Sequence, residues 1–277
     1  MLTPDASTLV GKVAVITGGG GGIGRGISET FAANGAKVVV AEIDADRAAD
    51  TVAAIRAEGG DALAQVADVR ERDQVDALAE AAIGKYGRVD VLVNNVGHYL
   101  YRGTPFLDTD EEQWKALYDV NLRHMFLCTR SLAPKMVEQG DGGSIINVST
   151  VEAFRGMPMM AVYSAFKAGV TQFTKSLALE LGNDGIRVNA IAPDLTQSIQ
   201  VDYDRWVPAE QEHMIPTWVP VGRFGTPADI AGVALFLASD LSAFVTGTTV
   251  HADGGSLAAG GWFRTERGGW TNRPLKP

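Results

Sequence analysis

The chain has 277 residues, 46% apolar and 21% charged, which suits one large α/β domain and excludes a disordered or fibrous chain. A formal net charge of −9 argues against nucleic acid and anionic membrane as partners. No apolar run has the length of a bilayer span and residues 1–11 lack the regions of a secretory signal, so a cytoplasmic protein is expected.

The first apolar run, 12–17, leads into Thr17-Gly18-Gly19-Gly20-Gly21-Gly22-Ile23-Gly24, and a helical pattern follows over 23–34. Strand, glycine turn and helix in this order cradle a phosphate, because free N–H groups and the positive end of the helix dipole face the anion. Gly18 permits the turn, Gly22 lets the backbone approach a pyrophosphate beside Ile23, and Gly24 brings helix against strand. The second run, 37–42, ends on Glu42, placed to accept the adenosine ribose hydroxyls of a dinucleotide.

Further strands are predicted over 62–67, 89–94, 144–150, 186–192 and 248–252. Helices are predicted over 45–58, 71–86, 111–138, 161–182 and 227–239. Continuously apolar strands indicate a sheet covered on both faces, and strict alternation implies right-handed crossovers. The fold expected is a doubly wound α/β domain with a seven-stranded, mainly parallel sheet and helices on both faces.

Residues 194–226 interrupt this alternation at the C-terminal end of a strand, where ligands bind in open α/β sheets. A segment this long is expected to be a lid. It carries Tyr203, Trp206, Trp218 and Phe224. The tail 256–277 carries Trp262, Phe263 and Trp270 with Arg264, Arg267, Arg273 and Lys276, too aromatic for a disordered end. It is expected to dock on its own subunit or a neighbour. Cys128, the one cysteine, is read as a buried apolar residue, and no metal site is expected from one thiol and four scattered histidines.

Three motifs then occur in order: Thr17-Gly18-x-x-x-Gly22-x-Gly24, Asn94-Asn95-Val96-Gly97 and Tyr163-x-x-x-Lys167. Asp68-Val69, Asn121, Arg187-Val188-Asn189-Ala190 before Pro193, and Asp253-Gly254-Gly255 accompany them. From about residue 10 to residue 256 the chain resembles the short-chain dehydrogenase/reductase family. The resemblance implies a Rossmann fold, oxidoreductase activity and a homotetramer. It places Asp68 and Val69 on the adenine, and Asn95 and Gly97 along the ribose and cofactor trough, with Asn94 tying strands together. It places Pro193 and either Thr196 or Ser198 near the carboxamide or pyrophosphate. Tyr163 and Lys167 would be the catalytic pair and also touch the cofactor, while Asn121 would anchor a water behind Lys167.

The spacing suits that chemistry. Residues four apart share one helix face. A free phenol titrates near 10, so a neighbouring lysine cation is expected to pull Tyr163 down and make it an acid–base group. The family's usual serine, 13 residues before the tyrosine, is Thr150 here. Threonine offers the same hydroxyl, with a methyl that narrows the space beside the reacting carbon. Ser149 is expected on the other face of its strand. Asp194 stands where the family commonly has glycine, and is expected to take a left-handed turn and face solvent.

Glu42 would repel the extra phosphate of NADP, and no basic residue follows it or fills the glycine turn, so NAD is the expected cofactor. The expected reaction interconverts a secondary alcohol and a ketone. Candidate pocket residues are His98, Tyr99, Tyr101, Glu152 and Phe154, with Tyr203, Trp206, Met214 and Trp218 from the lid. Their character suggests a hydrophobic or cyclic substrate such as a steroid, terpenoid or cyclic diol. The alternatives are a non-catalytic NAD-binding sensor or scaffold, an NADP-dependent carbonyl reductase, and epimerisation or dehydration of a nucleotide sugar on the same fold.

Overall fold

A computed structural model describes residues 3–260, 263–264 and 270–272, with backbone alone for Asp204, Trp206, Thr217, Trp218, Phe263, Arg264 and Trp270. Strands and helices alternate from the start: β1 (Val13–Thr17), α1 (Gly22–Ala33), β2 (Lys37–Glu42), α2 (Ala45–Ala57), β3 (Asp61–Val66), α3 (Arg72–Tyr86), β4 (Val91–Asn94). The chain continues through α4 (Glu111–Tyr118), α5 (His124–Gln139), β5 (Gly143–Val148), α6 (Ala161–Leu181) and β6 (Ile186–Pro193). The short helices α7 (Tyr203–Trp206) and α8 (Ile215–Trp218) precede α9 (Pro227–Ala238) and β7 (Thr249–Ala252).

Local chemistry fixes the helix starts. The Asp44 carboxylate accepts from the Asp46 and Arg47 N–H groups and caps α2, while Asp110 with Gln113 forms a capping box on α4. Thr226 and Asp229 form a second box on α9, with Pro227 in its first turn.

The seven strands form one parallel sheet in the order β3-β2-β1-β4-β5-β6-β7. Alternate residues of β1 show the layering: Ala14 and Ile16 join a core with α1, α2 and α9, while Val15 joins the opposite core with α3, α5 and α6. Cys128 is fully buried in the second core, and burial pushes its thiol up to about 12. Strand order reverses between β1 and β4, the switch point at which such sheets open a crevice. The pairings Thr17 with Ala41 and Asn94 with Asn147 bring the C-terminal strand ends to one edge.

The structure departs from expectation in three places. The helix expected over 111–138 is divided by a wider π turn at Asp119–Arg123, centred on Asn121. The fifth strand stops at Val148, leaving Ser149 and Thr150 in the loop that follows. The left-handed residue beside Asp194 is Leu195, with φ of 44°, and Asp194 itself is not left-handed. In the tail, Phe263–Arg264 pairs antiparallel with Trp270–Thr271. Trp262, Arg267, Arg273 and Lys276 lie outside the described residues, as do the side chains of Trp206, Trp218, Phe263, Arg264 and Trp270. Among the described residues no helix is long and apolar enough to cross a membrane.

Candidate active site

A cavity of about 580 Å³ opens at the C-terminal strand ends. Gly18, Gly21, Gly22, Ile23, Glu42, Ile43 and Arg47 line one end of it. Gly18 has φ of 62°, and a Cβ on Gly24 would collide with the Gly18 carbonyl oxygen. Only glycines let the α1 N-terminus sit this close to the turn. Bare backbone N–H groups at a helix start, with an acidic side chain one strand away, fit a dinucleotide.

Glu42 is 5% exposed. Its carboxylate accepts from the Gly20, Ile43 and Asp44 N–H groups at 3.2, 3.0 and 3.3 Å, and from Arg47 Nη2 at 2.8 Å. Arg47 is the basic neighbour that sequence adjacency to Glu42 did not reveal. The signal lay in Asp44, whose cap turns the first turn of α2 back toward the glycines.

Asn94, Asn95 and Gly97 lead away from β4. Asn94 Nδ2 donates to Thr129 Oγ1 at 3.2 Å and to Asn147 Oδ1 at 2.9 Å, tying β4 to β5 and α5. Asn95 Nδ2 donates to the Thr17 carbonyl at 3.0 Å. A Cβ on Gly97 would lie 2.6 Å from Lys167 Nζ and 3.2 Å from Asn121 Oδ1. Asn121 is closed by a reciprocal pair: His98 N–H donates to its Oδ1 at 3.0 Å, and its Nδ2 donates to the His98 carbonyl at 2.8 Å. Asp68 and Val69 are not part of the cavity wall, and Asp68 is turned to an ion pair with Arg70 at 2.6 Å.

Thr150, Tyr163 and Lys167 converge at the other end. Thr150 Oγ1 donates to the Pro193 carbonyl at 3.4 Å, and its hydroxyl acts on the Tyr163 phenol to lower it. Ser149 is turned away from that pair, its Oγ donating to the Lys167 carbonyl at 3.1 Å. Lys167 Nζ donates to the Val148 carbonyl at 3.1 Å and lies 6.0 Å from the centre of the Tyr163 ring. Burial pushes the Lys167 ammonium down to about 8. The Tyr163 phenol is held well above its ordinary value, first by burial and then by the Glu152 and Tyr99 charges, with the Thr150 hydroxyl opposing. The downward pull expected from Lys167 is not among the influences that set the phenol here; burial leads, and the Glu152 charge adds to it.

The lid crosses this space. Gln200 Nε2 donates to the Gly97 carbonyl at 2.6 Å, and the Tyr99 hydroxyl donates to the Gln200 carbonyl at 2.6 Å. The Ser198 Cβ lies 3.5 Å from where a Gly22 Cβ would stand, whereas the Thr196 hydroxyl is turned to the Asp194 carbonyl at 2.9 Å. His98, Tyr99, Glu152 and Tyr203 line the cavity as expected. Phe154, Tyr101 and Met214 do not: Phe154 packs edge-on against His251, and Met214 packs under the lid with Leu195, Val207 and Val219. Arg102, Met157, Gln200, Phe224 and Asn272 line it unannounced by any motif. Asp194 does not face solvent, for Arg155 and Ser256 hold its carboxylate at 2.7 and 2.6 Å.

Residues 18–256 match the family model described as enoyl-(acyl carrier protein) reductase. The chain is 42% identical to a 3-oxoacyl-[acyl-carrier-protein] reductase of Synechocystis sp., over 91% of this chain and 99% of that protein. It is 37% identical to the galactitol 2-dehydrogenase of Agrobacterium fabrum, over 88% of this chain and 97% of that protein. A 7α-hydroxysteroid dehydrogenase, solved with NADH and 7-oxo glycochenodeoxycholic acid, superposes with a TM-score of 0.85 at 36% identity, covering 92% of this chain and 98% of that one. The chain belongs to the short-chain dehydrogenase/reductase family of oxidoreductases, which use a nicotinamide cofactor.

Proposed function

We propose that the chain is an NAD-dependent oxidoreductase that interconverts a secondary alcohol and a ketone on a hydrophobic or cyclic substrate. The convergence of Thr150, Tyr163 and Lys167 at one end of a cavity that begins at the glycine turn carries this reading. When bound, the nicotinamide accepts or supplies the hydride. Gly18, Gly22 and Ile23, with Gly24 behind them, would hold the pyrophosphate, and Glu42 the ribose hydroxyls. Asn95, Gly97 and Pro193 would line the trough, and Asp68 with Val69 would meet the adenine. The approach of Ser198 to Gly22 supports Ser198 over Thr196 as the lid contact.

In ketone reduction the protonated Tyr163 phenol donates to the carbonyl oxygen, which Thr150 positions. In alcohol oxidation Tyr163 takes the hydroxyl proton, and the Lys167 cation stabilises the phenolate. A lysine brought down to about 8 sits near proton balance, so Lys167 can hold or pass a proton at ordinary pH. Asn121 and Lys167 flank Gly97 together, which supports a relay leading away from the substrate.

The NADH-bound hydroxysteroid dehydrogenase supports both NAD and a ring substrate. Arg47 gives an NADP-dependent carbonyl reductase a specific observation in its favour, since its guanidinium lines the adenosine end. The test follows the reduced-nicotinamide absorbance band with NAD and with NADP across a broad panel of secondary alcohols and ketones. Turnover with NAD is expected. Cofactor binding without turnover of any compound would make the chain a sensor or scaffold.

We read the protein as one cytoplasmic domain with lid 194–226 and extension 256–277, assembled as a homotetramer. Val170 is buried, and Leu177 and Leu181 pack on the core, which leaves Phe173 and the 84% exposed Leu179 as apolar positions on α6 for a neighbour. A monomer by light scattering at micromolar concentration would contradict the assembly.

A further inference from the structure

The loop that leaves β4 turns sharply at His98. The Leu100 N–H donates to His98 Nδ1 at 2.8 Å, closing a turn of three residues with Tyr99 at its apex. Leu100 has φ of 35°, in the left-handed region that a residue with a side chain disfavours. It is also 41% exposed, so packing does little to hold it there. The bond to the imidazole offsets the strain, as an asparagine side chain does when it holds the N–H two residues on.

The same bond fixes the state of the ring. A backbone N–H only donates, so Nδ1 accepts and the ring proton sits on Nε2. Burial holds the imidazole below its ordinary value of 6.5, which keeps the ring neutral and Nδ1 able to accept near neutral pH. The backbone of His98 is committed elsewhere, to its two bonds with the Asn121 amide. One residue therefore supports two structures: its backbone holds Asn121, and its ring shapes the turn.

The apex of that turn reaches both the lid and the reacting end of the cavity. The Tyr99 hydroxyl donates to the Gln200 carbonyl at 2.6 Å. The Tyr99 ring meets the Tyr163 ring edge-on, with 6.3 Å between centres. A displacement of Tyr99 by about 1 Å would carry its bond to Gln200 out of hydrogen-bonding range. The lid contact thus depends on a turn that a single imidazole nitrogen closes.

We propose that His98 is a positioning residue for lid closure: by accepting the Leu100 N–H, its ring sets the Tyr99 side chain against Gln200 and Tyr163, and so sets how tightly substrate is enclosed. The kinetic consequence rests on the alcohol–ketone reading above, whereas the tie to the lid stands without it. An uncharged acceptor in the place of Nδ1 serves equally, and a hydrocarbon does not.

The test measures amide hydrogen exchange in ligand-free wild type, His98→Asn and His98→Leu. In the wild type the Leu100 amide, on an exposed residue, is expected to exchange slowly. His98→Leu removes the acceptor and is expected to speed exchange over residues 98–101 and 195–202 by roughly fivefold or more. His98→Asn, whose Oδ1 can accept the same N–H, is expected to stay near wild type. With an alcohol from the broad panel that reacts, His98→Leu should raise KM several-fold while kcat holds or rises, because Asn121 keeps its backbone partners. His98→Asn should bring KM back. Fast exchange of the wild-type Leu100 amide overturns the proposal whether or not either variant folds. So does wild-type exchange of the lid in His98→Leu, or a His98→Asn variant that behaves as His98→Leu does. A fall in kcat at unchanged KM in His98→Leu would place the ring in the chemistry and overturn the positioning role. Inertness of every alcohol in the panel overturns the alcohol–ketone reading, and the exchange comparison alone then decides the tie to the lid.

Discussion

Arg47 holds a guanidinium nitrogen 2.8 Å from the Glu42 carboxylate, with both groups facing the adenosine end of the cavity. The pair opposes two preferences. Glu42, buried and fixed by three backbone N–H groups, disfavours a 2′-phosphate, while Arg47, itself 39% exposed, could swing to meet one. Burial decides for Glu42, since its charge is screened least. The expected kcat/KM for NAD exceeds that for NADP by at least about tenfold. Glu42→Ala combined with Ile43→Arg should shift the ratio toward NADP, and Arg47→Ala should lower whatever NADP activity the wild type has. Equal use of both cofactors by the wild type would show that Arg47 prevails.

This pair also shows what was legible in the sequence. The glycine turn, Glu42, Asn94-Asn95 and the Tyr163–Lys167 spacing are local patterns, each set within one strand end or one helix turn. They announce the alternating parallel sheet and residues at both ends of the cavity, while the strand order comes from the structure. Arg47, Gln200 and Arg155 act through tertiary contacts that no spacing announces: Gln200 reaches Gly97, and Arg155 reaches Asp194, across the crevice. Phe154 was misplaced because the tight turn at Val151–Ala153 rotates it out to His251. The phenol of Tyr163 was misjudged because pairwise charge logic sees Lys167 and does not see burial.

His124 should make the fold acid-sensitive. It is 1% exposed, and neither ring nitrogen has a hydrogen-bonding partner among the described residues, the Val96 backbone lying near but outside bonding geometry. Burial, then the Lys167 charge, push its imidazole from 6.5 down to about 3, with Asp68 opposing. Between those values the unfolded chain binds a proton that the folded chain does not. Stability therefore falls as pH drops from 6.5 toward 3. His124→Leu removes that linkage and two unsatisfied nitrogens, worth ~1–3 kcal/mol each. Its acid-unfolding midpoint should move to lower pH and its Tm at pH near 5 should rise by roughly a few degrees. An unchanged acid midpoint would show that His124 finds a partner in solution.

The lid should be latched by Gln200. Its side chain holds the Gly97 carbonyl while its own carbonyl accepts from Tyr99, so one residue ties the lid to the β4 loop twice. Gln200→Ala removes the side-chain tie alone. Lid opening often limits product release, so faster release of reduced cofactor is expected in stopped-flow fluorescence. KM for the alcohol should rise several-fold as closure weakens. Release at the wild-type rate would mean that the Tyr99 bond suffices to hold the lid.

The sharpest test of the chemistry is Thr150. Its hydroxyl donates to the Pro193 carbonyl and lowers the Tyr163 phenol, whereas the Ser149 hydroxyl donates to the Lys167 carbonyl. Thr150→Ser keeps the hydroxyl and should keep most activity. Thr150→Val keeps the shape and loses the hydrogen bond, which in a preorganised site costs ~10²-fold or more in turnover. Tyr163→Phe should be worse still, because the acid–base group itself is gone. Cofactor affinity should change little in either threonine variant, since Thr150 stands at the end of the cavity away from Glu42. Losing the Thr150 hydroxyl should also raise the Tyr163 phenol further, because that hydroxyl opposes burial. The acid limb of alcohol oxidation in Thr150→Val should therefore move to higher pH, a shift that a purely steric role would not produce. Near-normal turnover in Thr150→Val with loss in Ser149→Ala would transfer the role to Ser149. If both variants stay active while Tyr163→Phe is dead, the reaction proceeds without a third hydroxyl, and Thr150 serves only to cap the turn at Val151.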